Sequence, residues 1–220
     1  MRRPGAAVIV ELQSFTLKSR SPATVEERFK NALPARAAQS PLGGCWRSEV
    51  GVLNQLIVAW PYADMNERAS VGADAAKLKD WPPAIDEFVL EQSIRTITLA
   101  PFSPPLTPRR LGNLYEIRIY QYPPGAIPEV IAAWSEIIDE RVKYSPLVAA
   151  GHADAGAFHE WVHIWAYRNA GERERIREET SRAGIWPISV VDRRLGRAPR
   201  AVSLRMQNML VVPTDFSPLH

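Results

Sequence analysis

The feature that most constrains this chain is that it is written twice. A shift of 105 residues lays Leu53–Arg68 over Phe158–Arg173 without a gap, so that Trp60 meets Trp165, Tyr62 meets Tyr167 and Glu67-Arg68 meets Glu172-Arg173. The same offset sets Glu11 on Glu116, Phe15 on Tyr120, Phe29 on Trp134, Gly51 on Gly156 and Trp81-Pro82 on Trp186-Pro187. One offset sustained over that distance means two copies of one folding unit. Towards the C-terminus the offset grows, because "PFSP" at 101–104 matches "DFSP" at 215–218, and the Arg-rich "DRRLGRAPRAV" is the expected insertion in the second copy. The units are read as 8–105 and 112–220, joined by the proline-rich "PFSPPLTPRRLG", whose prolines exclude helix.

Each copy reads strand, helix, strand, strand, helix, strand. The first strands, "AVIVELQSFTL" and "NLYEIRIYQY", alternate and are rich in β-branched and aromatic residues. A helix is expected from about Ser21, with Pro22 at its first position, apolar Val25, Phe29 and Leu33 four apart, and Pro34 cutting or kinking it. Its counterpart presents Val130, Trp134, Ile137 and Ile138. Gly51 and Gly156 mark hairpin turns between the middle strands. Asp64 and Asn169 are N-caps followed three residues later by Glu67 and Glu172, the reciprocal capping arrangement, which gives these glutamates a structural role. The fold class that follows is α+β: two tandem ferredoxin-like βαββαβ repeats, their sheets packed into a pseudo-dimeric α+β barrel.

Composition excludes several classes. The 27 Lys and Arg against 24 Asp and Glu leave a net charge of +3, too small an excess for a nucleic-acid surface. Arg193, Arg194, Arg197, Arg200 and Arg205 read as a solvated insertion, and "GERERIREETSR" alternates in sign as an exposed, salt-bridged helix does. The single cysteine, Cys45, excludes an internal disulfide and is expected to be a small buried side chain. The N-terminus lacks the apolar core of a signal peptide, and no window approaches a membrane span. A cytoplasmic protein without membrane or nucleic-acid partners is expected.

"HEWVH", 159–163, spells the H-E-x-x-H of zinc proteases, which works only on a helix, where residues four apart share one face. On a strand, His159 and His163 have Cα atoms about 13 Å apart, and Glu160 points the opposite way. The repeat partner "NQLIV" makes this a strand, so no metal site is read here.

Strand alternation puts His159, Trp161, His163, Trp165 and Tyr167 on one face and Phe158, Glu160, Val162, Ile164 and Ala166 on the other. The aromatic and polar set is expected in the barrel lumen, with Asn54, Trp60 and Tyr62 of the first copy, and the aliphatic set against the helices. Glu116, Arg118 and Tyr120 share one face of the neighbouring strand and should lie across from the histidines. His163 and Glu116 then form a candidate acid–base pair, the carboxylate raising the imidazole's pKa, with Arg118 to hold an anion. Equally open is that Glu116 and Arg118 pair with each other while the histidines hydrogen-bond inside an aromatic core.

These residues resemble the NIPSNAP family of the dimeric α+β barrel group. The resemblance rests on "ELQSFTL" and "EIRIYQY", the glycine before "VLNQLIVAWPYADMNER", the "HIWAY" of the second copy and the terminal "FSPLH", and it touches nearly the whole chain. Each copy departs where the other agrees: the strand-three histidine is His163 in one and Val58 in the other, and the Asn54-Gln55 pair becomes His159-Glu160. Any pocket is therefore expected to be asymmetric. The resemblance implies the fold, whereas barrels of this shape host cofactor-free oxygenases, haem-degrading enzymes, isomerases and plain binders.

Three functions follow. The first is binding, or cofactor-independent catalysis, of a small apolar or aromatic ligand stacked on Trp161, Trp165, Trp60 and Tyr167 in the lumen. The second is a non-catalytic, homo-oligomeric scaffold whose barrel is only a core. The third is haem or metal binding through one histidine, although no cofactor is implied by the residues themselves.

Overall fold

The computed structural model describes residues 9–220. The opening two residues of the expected first strand, the start of the first unit at 8 and the N-terminal arginines lie outside them. The first copy comprises β1 (Ile9–Leu17), α1 (Pro22–Ala37), β2 (Gly44–Val50), β3 (Gln55–Tyr62), α2 (Met65–Ala75) and β4 (Val89–Leu99). The second comprises β5 (Leu114–Gln121), α3 (Ile127–Ser135), α4 (Ile138–Arg141), β6 (Leu147–Ala155), β7 (Glu160–Tyr167), α5 (Ala170–Arg182), α6 (Ile188–Arg194) and β8 (Arg205–Pro213). The strands close into one eight-stranded barrel, β1-β3-β2-β8-β5-β7-β6-β4. Every neighbouring pair is antiparallel, and the two copies meet along β2–β8 and β4–β6, so each sheet uses the other to cover its edges.

The barrel interior is an apolar cluster drawn from all eight strands, among them Val10, Leu12, Trp46, Ile57, Ala59, Ile97, Ile117, Val148, Ile164 and Val211. No helix residue belongs to it. Two further clusters lie outside the barrel, one between each sheet and its own helices: Val25 and Phe29 with Leu56, Val58 and Trp60, and Val130 and Trp134 with Trp161 and Trp165. The alternation is thus as the sequence implies, but its two faces are exchanged. His163, Trp161, Trp165, Tyr167, Glu116, Arg118, Tyr120, Trp60 and Tyr62 face the helices, and Val162, Ile164 and Ala166 fill the lumen. Alternation tells which side chains share a face and leaves open which face is inside. An eight-stranded barrel has an interior just wide enough for side chains to fill, here mostly branched aliphatics with Trp46 and Tyr115, while the stacked Arg36–Trp60 and Arg141–Trp165 pairs lie between sheet and helices.

The capping glutamates act as expected in kind, each reaching one residue further back than the reciprocal pattern implies. Asp64 accepts from the backbone N–H of Asn66 and Glu67, and Glu67 accepts from that of Ala63. Asn169 and Glu172 repeat this, with Glu172 accepting from Arg168 N–H at 2.6 Å. The expected break at Pro34 does not occur, since α1 runs through it to Ala37. The counterpart, whose proline lies only in its first turn, is the one that divides, with Ile137 at φ −127° between α3 and α4. The insertion of the second copy is α6 and the loop that follows. Two of its arginines are engaged, Arg197 and Arg200 with Glu136 and Arg200 also with Asp192, while Arg193 and Arg194 are exposed.

The tails are exchanged. Phe102, at the end of the first copy, stacks on Trp134 of the second, while Phe216, at the end of the second, stacks on Phe29 of the first. Ser103 and Ser217 accept from the backbone N–H of Ala150 and Cys45, again across the copies. Cys45 is buried, and burial pushes its thiol pKa well up, so it is an inert packing residue. Among the described residues no helix is long and apolar enough to cross a membrane.

Candidate functional site

Two equivalent constellations sit between sheet and helices, one in each copy, and their residues correspond at the repeat offset. In the first, Glu11 on β1 accepts from Gln13 Nε2 at 2.6 Å and from Arg68 Nε of α2. Arg36, from the last turn of α1, lays its guanidinium over Trp60 at 4.2 Å and donates Nη2 to Tyr62 Oη at 2.8 Å. Trp81 meets Trp60 edge-on at 5.9 Å. In the second, Glu116 on β5 accepts from Arg118 Nη1 at 2.9 Å, Arg173 Nη2 at 2.6 Å and Asn208 Nδ2 at 3.2 Å. Arg141 covers Trp165 at 4.1 Å and donates Nη1 to Ser145 Oγ at 2.9 Å.

Arg36 owes its burial to helix phase. Arg36 lies seven residues after Phe29, on the stripe of Val25, Phe29 and Ala32 that packs on the sheet. The repeat offset that pairs Arg36 with Arg141, and Arg68 with Arg173, is the signal by which the sequence could have named them.

The copies differ in what fills the space. Phe29, Leu56, Val58, Gln13 and Gly72 of the first copy are replaced at the repeat offset by Trp134, Trp161, His163, Arg118 and Arg177 in the second. Trp134 lies 5.2 Å from Trp161, 4.8 Å from His163 and 4.7 Å from Trp186, a block of interlocked rings. The first copy instead has a cavity of about 350 Å³, lined by Glu11, Gln13, Arg36, Trp60, Tyr62 and Arg68, by Ala69, Gly72, Ala75 and Ala76 of α2, and by Trp81 and Pro82. A Cβ built on Gly72 would meet nothing within 4 Å. Gly72 was missed in the sequence because a lone glycine in a helix has no chemistry of its own. Its replacement by arginine across the repeat is what marks it.

The expected acid–base pair takes another form. Arg118 is directly opposite His163 in the β5–β7 register, as foreseen, but no hydrogen bond joins His163 to Glu116. His163 Nδ1 accepts from Trp165 Nε1 at 2.8 Å, and its Nε2 has no partner among the described residues. The ring is 1% exposed and meets those of Tyr120 and Trp134 edge-on. Burial, then the charges of Arg118, Arg141 and Arg177, drive its pKa well below the ordinary 6.5, opposite to the rise expected from a neighbouring carboxylate. Burial raises the Glu116 pKa, but the hydrogen bond from Arg173 and the charges of Arg118, Arg173 and Arg177 outweigh it and hold the carboxyl below its usual range. This is the alternative arrangement of the same residues, an Arg–Glu pair beside a histidine in an aromatic core.

Asn54 and His159 do not join either constellation. They are equivalent turn residues with φ of 56° and 59°, ending the hairpins that contain Gly51 and Gly156, and their carbonyls accept from Leu17 and Tyr122 N–H at 2.9 Å. Glu160 pairs with Arg95 at 2.8 Å, so the three polar residues of "HEWVH" have three separate surroundings. Among the described residues no group of three His, Cys, Asp or Glu side chains is placed to hold a metal ion.

Comparison with known proteins agrees with this architecture. The NIPSNAP family model matches residues 10–104 and again 115–218. The mouse protein NipSnap homolog 3B is 29% identical over 99% of this chain and 88% of its own length. The human protein NipSnap homolog 3A is 27% identical over 96% of the chain and 86% of its own length. Among solved structures, a candidate monooxygenase of Fusobacterium nucleatum superposes with a TM-score of 0.66 over 95% of this chain and 93% of its own, at 10% identity, a likeness of fold alone. The chain belongs to the NIPSNAP family, carrying its domain in two tandem copies.

Proposed function

We propose that this protein binds a small, flat, largely apolar molecule in the first copy, in the cleft between the sheet and helices α1 and α2. The observation that carries this reading is the 350 Å³ cavity, whose size falls in the range of small-molecule sites. Its walls have the required mixture, with Trp60 and Trp81 as apolar surfaces and Tyr62, Gln13, Arg36 and Arg68 as polar groups converging on one space. In this reading Trp60 and Tyr62 touch ligand, as expected, but outside the barrel. His163, Glu116, Arg118, Tyr120, Trp161, Trp165 and Tyr167 form the packed counterpart that supports the second sheet.

Acid–base catalysis by His163 and Glu116 is not favoured, because the imidazole is enclosed and the carboxylate is committed to two arginines and an asparagine. Haem or metal ligation through His163 would need the rings of Tyr120 and Trp134 to move aside. The apolar lumen does favour a second reading, in which the barrel is solely a core and the protein works as an oligomeric scaffold.

Calorimetric titration with 2-naphthamide separates the two readings. Binding to the wild type, abolished by Gly72→Arg with no loss of thermal stability, is expected of a ligand cleft. Wild-type protein that binds neither this probe nor the corresponding carboxylate, 2-naphthoate, is the scaffold outcome.

A further inference from the structure

Arg36 is a buried cation without a counter-ion. Its side chain belongs to a residue only 4% exposed, and among the described residues no carboxylate pairs with it. Nη2 is satisfied by Tyr62 Oη, whereas Nη1 is buried and has no hydrogen-bond partner. The Trp60 face beneath it offers quadrupole attraction but no acceptor oxygen. The equivalent arginine of the second copy shows what is missing: Arg141 Nη1 donates to Ser145 Oγ at 2.9 Å, while Ser40, in the corresponding place, turns its hydroxyl to Pro61 O at 3.4 Å. A buried guanidinium nitrogen left unpaired is costly, and the arginine that carries it is one of the residues lining the open cavity.

We propose that the occupant of the first-copy cleft is a carboxylate, a monoanion on a flat apolar body, whose oxygens are received by Arg36 and Tyr62. The inference rests on the reading of that cleft as a ligand site. One negative charge is what the surroundings call for, since Glu11 is already matched by Arg68 and Gln13, leaving Arg36 as the uncompensated cation. Tyr62 accepts from Arg36 and donates to nothing among the described residues, so its own O–H is available as a second donor. Two donors side by side suit the two oxygens of a planar carboxylate. A dianionic phosphate would carry excess charge past Glu11. The small side chains of α2 opposite, Ala69, Gly72 and Ala76, leave room for the apolar body against Trp81.

The test compares 2-naphthoate with its neutral isostere 2-naphthamide by calorimetry on the wild-type chain. A carboxylate meeting a buried guanidinium should bind about tenfold or more tightly than the amide. Arg36→Gln should reduce that preference to about twofold while the amide still binds, and Arg36→Lys should retain most of it. Gly72→Arg, placed on an exposed position, should abolish binding of both probes. Equal or weaker binding of the carboxylate by the wild type would overturn the ligand class while leaving the cleft as a site. Failure of both probes to bind the wild type would remove the cleft reading with it. A carboxylate preference that survives Gly72→Arg places the anion elsewhere and overturns the proposal even if Arg36→Gln does not fold.

Discussion

His163 remains neutral because burial and three guanidinium groups oppose its charging, Arg118 from β5, Arg141 from α4 and Arg177 from α5. Unfolded, this histidine takes up a proton as pH falls through about 6.5, while the folded chain does not, so acid stabilises the unfolded state. Wild-type stability should therefore fall below that pH. His163→Val, which installs the first copy's residue, should flatten the dependence by up to about 1.4 kcal/mol per pH unit. Urea titrations between about pH 5 and 7 read this directly, and equal slopes for the two proteins would contradict it. Glu116 acts in the same sense in a more acidic window, its lowered pKa contributing stability that is lost as pH falls through the carboxylate range. Glu116→Gln leaves Arg118 and Arg173 facing each other without an acid, and should cost about 3 kcal/mol at neutral pH, as breaking a buried pair does. A cost under about 1 kcal/mol in urea melts would show the carboxylate to be dispensable.

At the scale of elements, α2 and α5 are one helix in two versions. Gly72 is exposed, lies within α2 and has open space at its Cβ, so Gly72→Ala should stabilise the protein by about 0.5–1 kcal/mol through helix propensity. Thermal unfolding followed by circular dichroism checks this. A destabilised variant would mean that the glycine meets a conformational need.

The elements themselves were legible in the sequence: the repeat offset, the N-caps at Asp64 and Asn169, the glycines of the hairpins and the insertion before β8 all have local chemical signatures. The direction of the strand faces was not, because whether Trp165 or Ile164 points inward depends on the width of a closed barrel, which no single strand encodes. The same reversal moves Trp60 and Tyr62, expected to line the barrel lumen, to the cleft between sheet and helices. Arg36 and Gly72 escaped because an arginine in an apolar stripe and a glycine in a helix carry meaning only when set against Arg141 and Arg177.

For the whole molecule, the exchanged tails make the two copies one cooperative body. Phe216 belongs to the second repeat by sequence but stacks on Phe29 of the first, at 6.1 Å. Phe216→Ala should cost about 2 kcal/mol and reduce hydrogen-exchange protection in α1, a helix of the other copy. Loss of protection confined to the second copy would contradict the exchange. Closure of the barrel along β2–β8 and β4–β6 leaves neither sheet an open edge, and the copies differ between sheet and helix, where the second has Trp134, His163 and Arg177 and the first has Phe29, Val58 and Gly72. The most direct test of this division is a crystal structure of the chain grown with 2-naphthoate. One molecule per chain is predicted, against Trp60 and Trp81 with its carboxylate at Arg36. A molecule in the barrel lumen or beside His163, or none in the first-copy cleft, would contradict it.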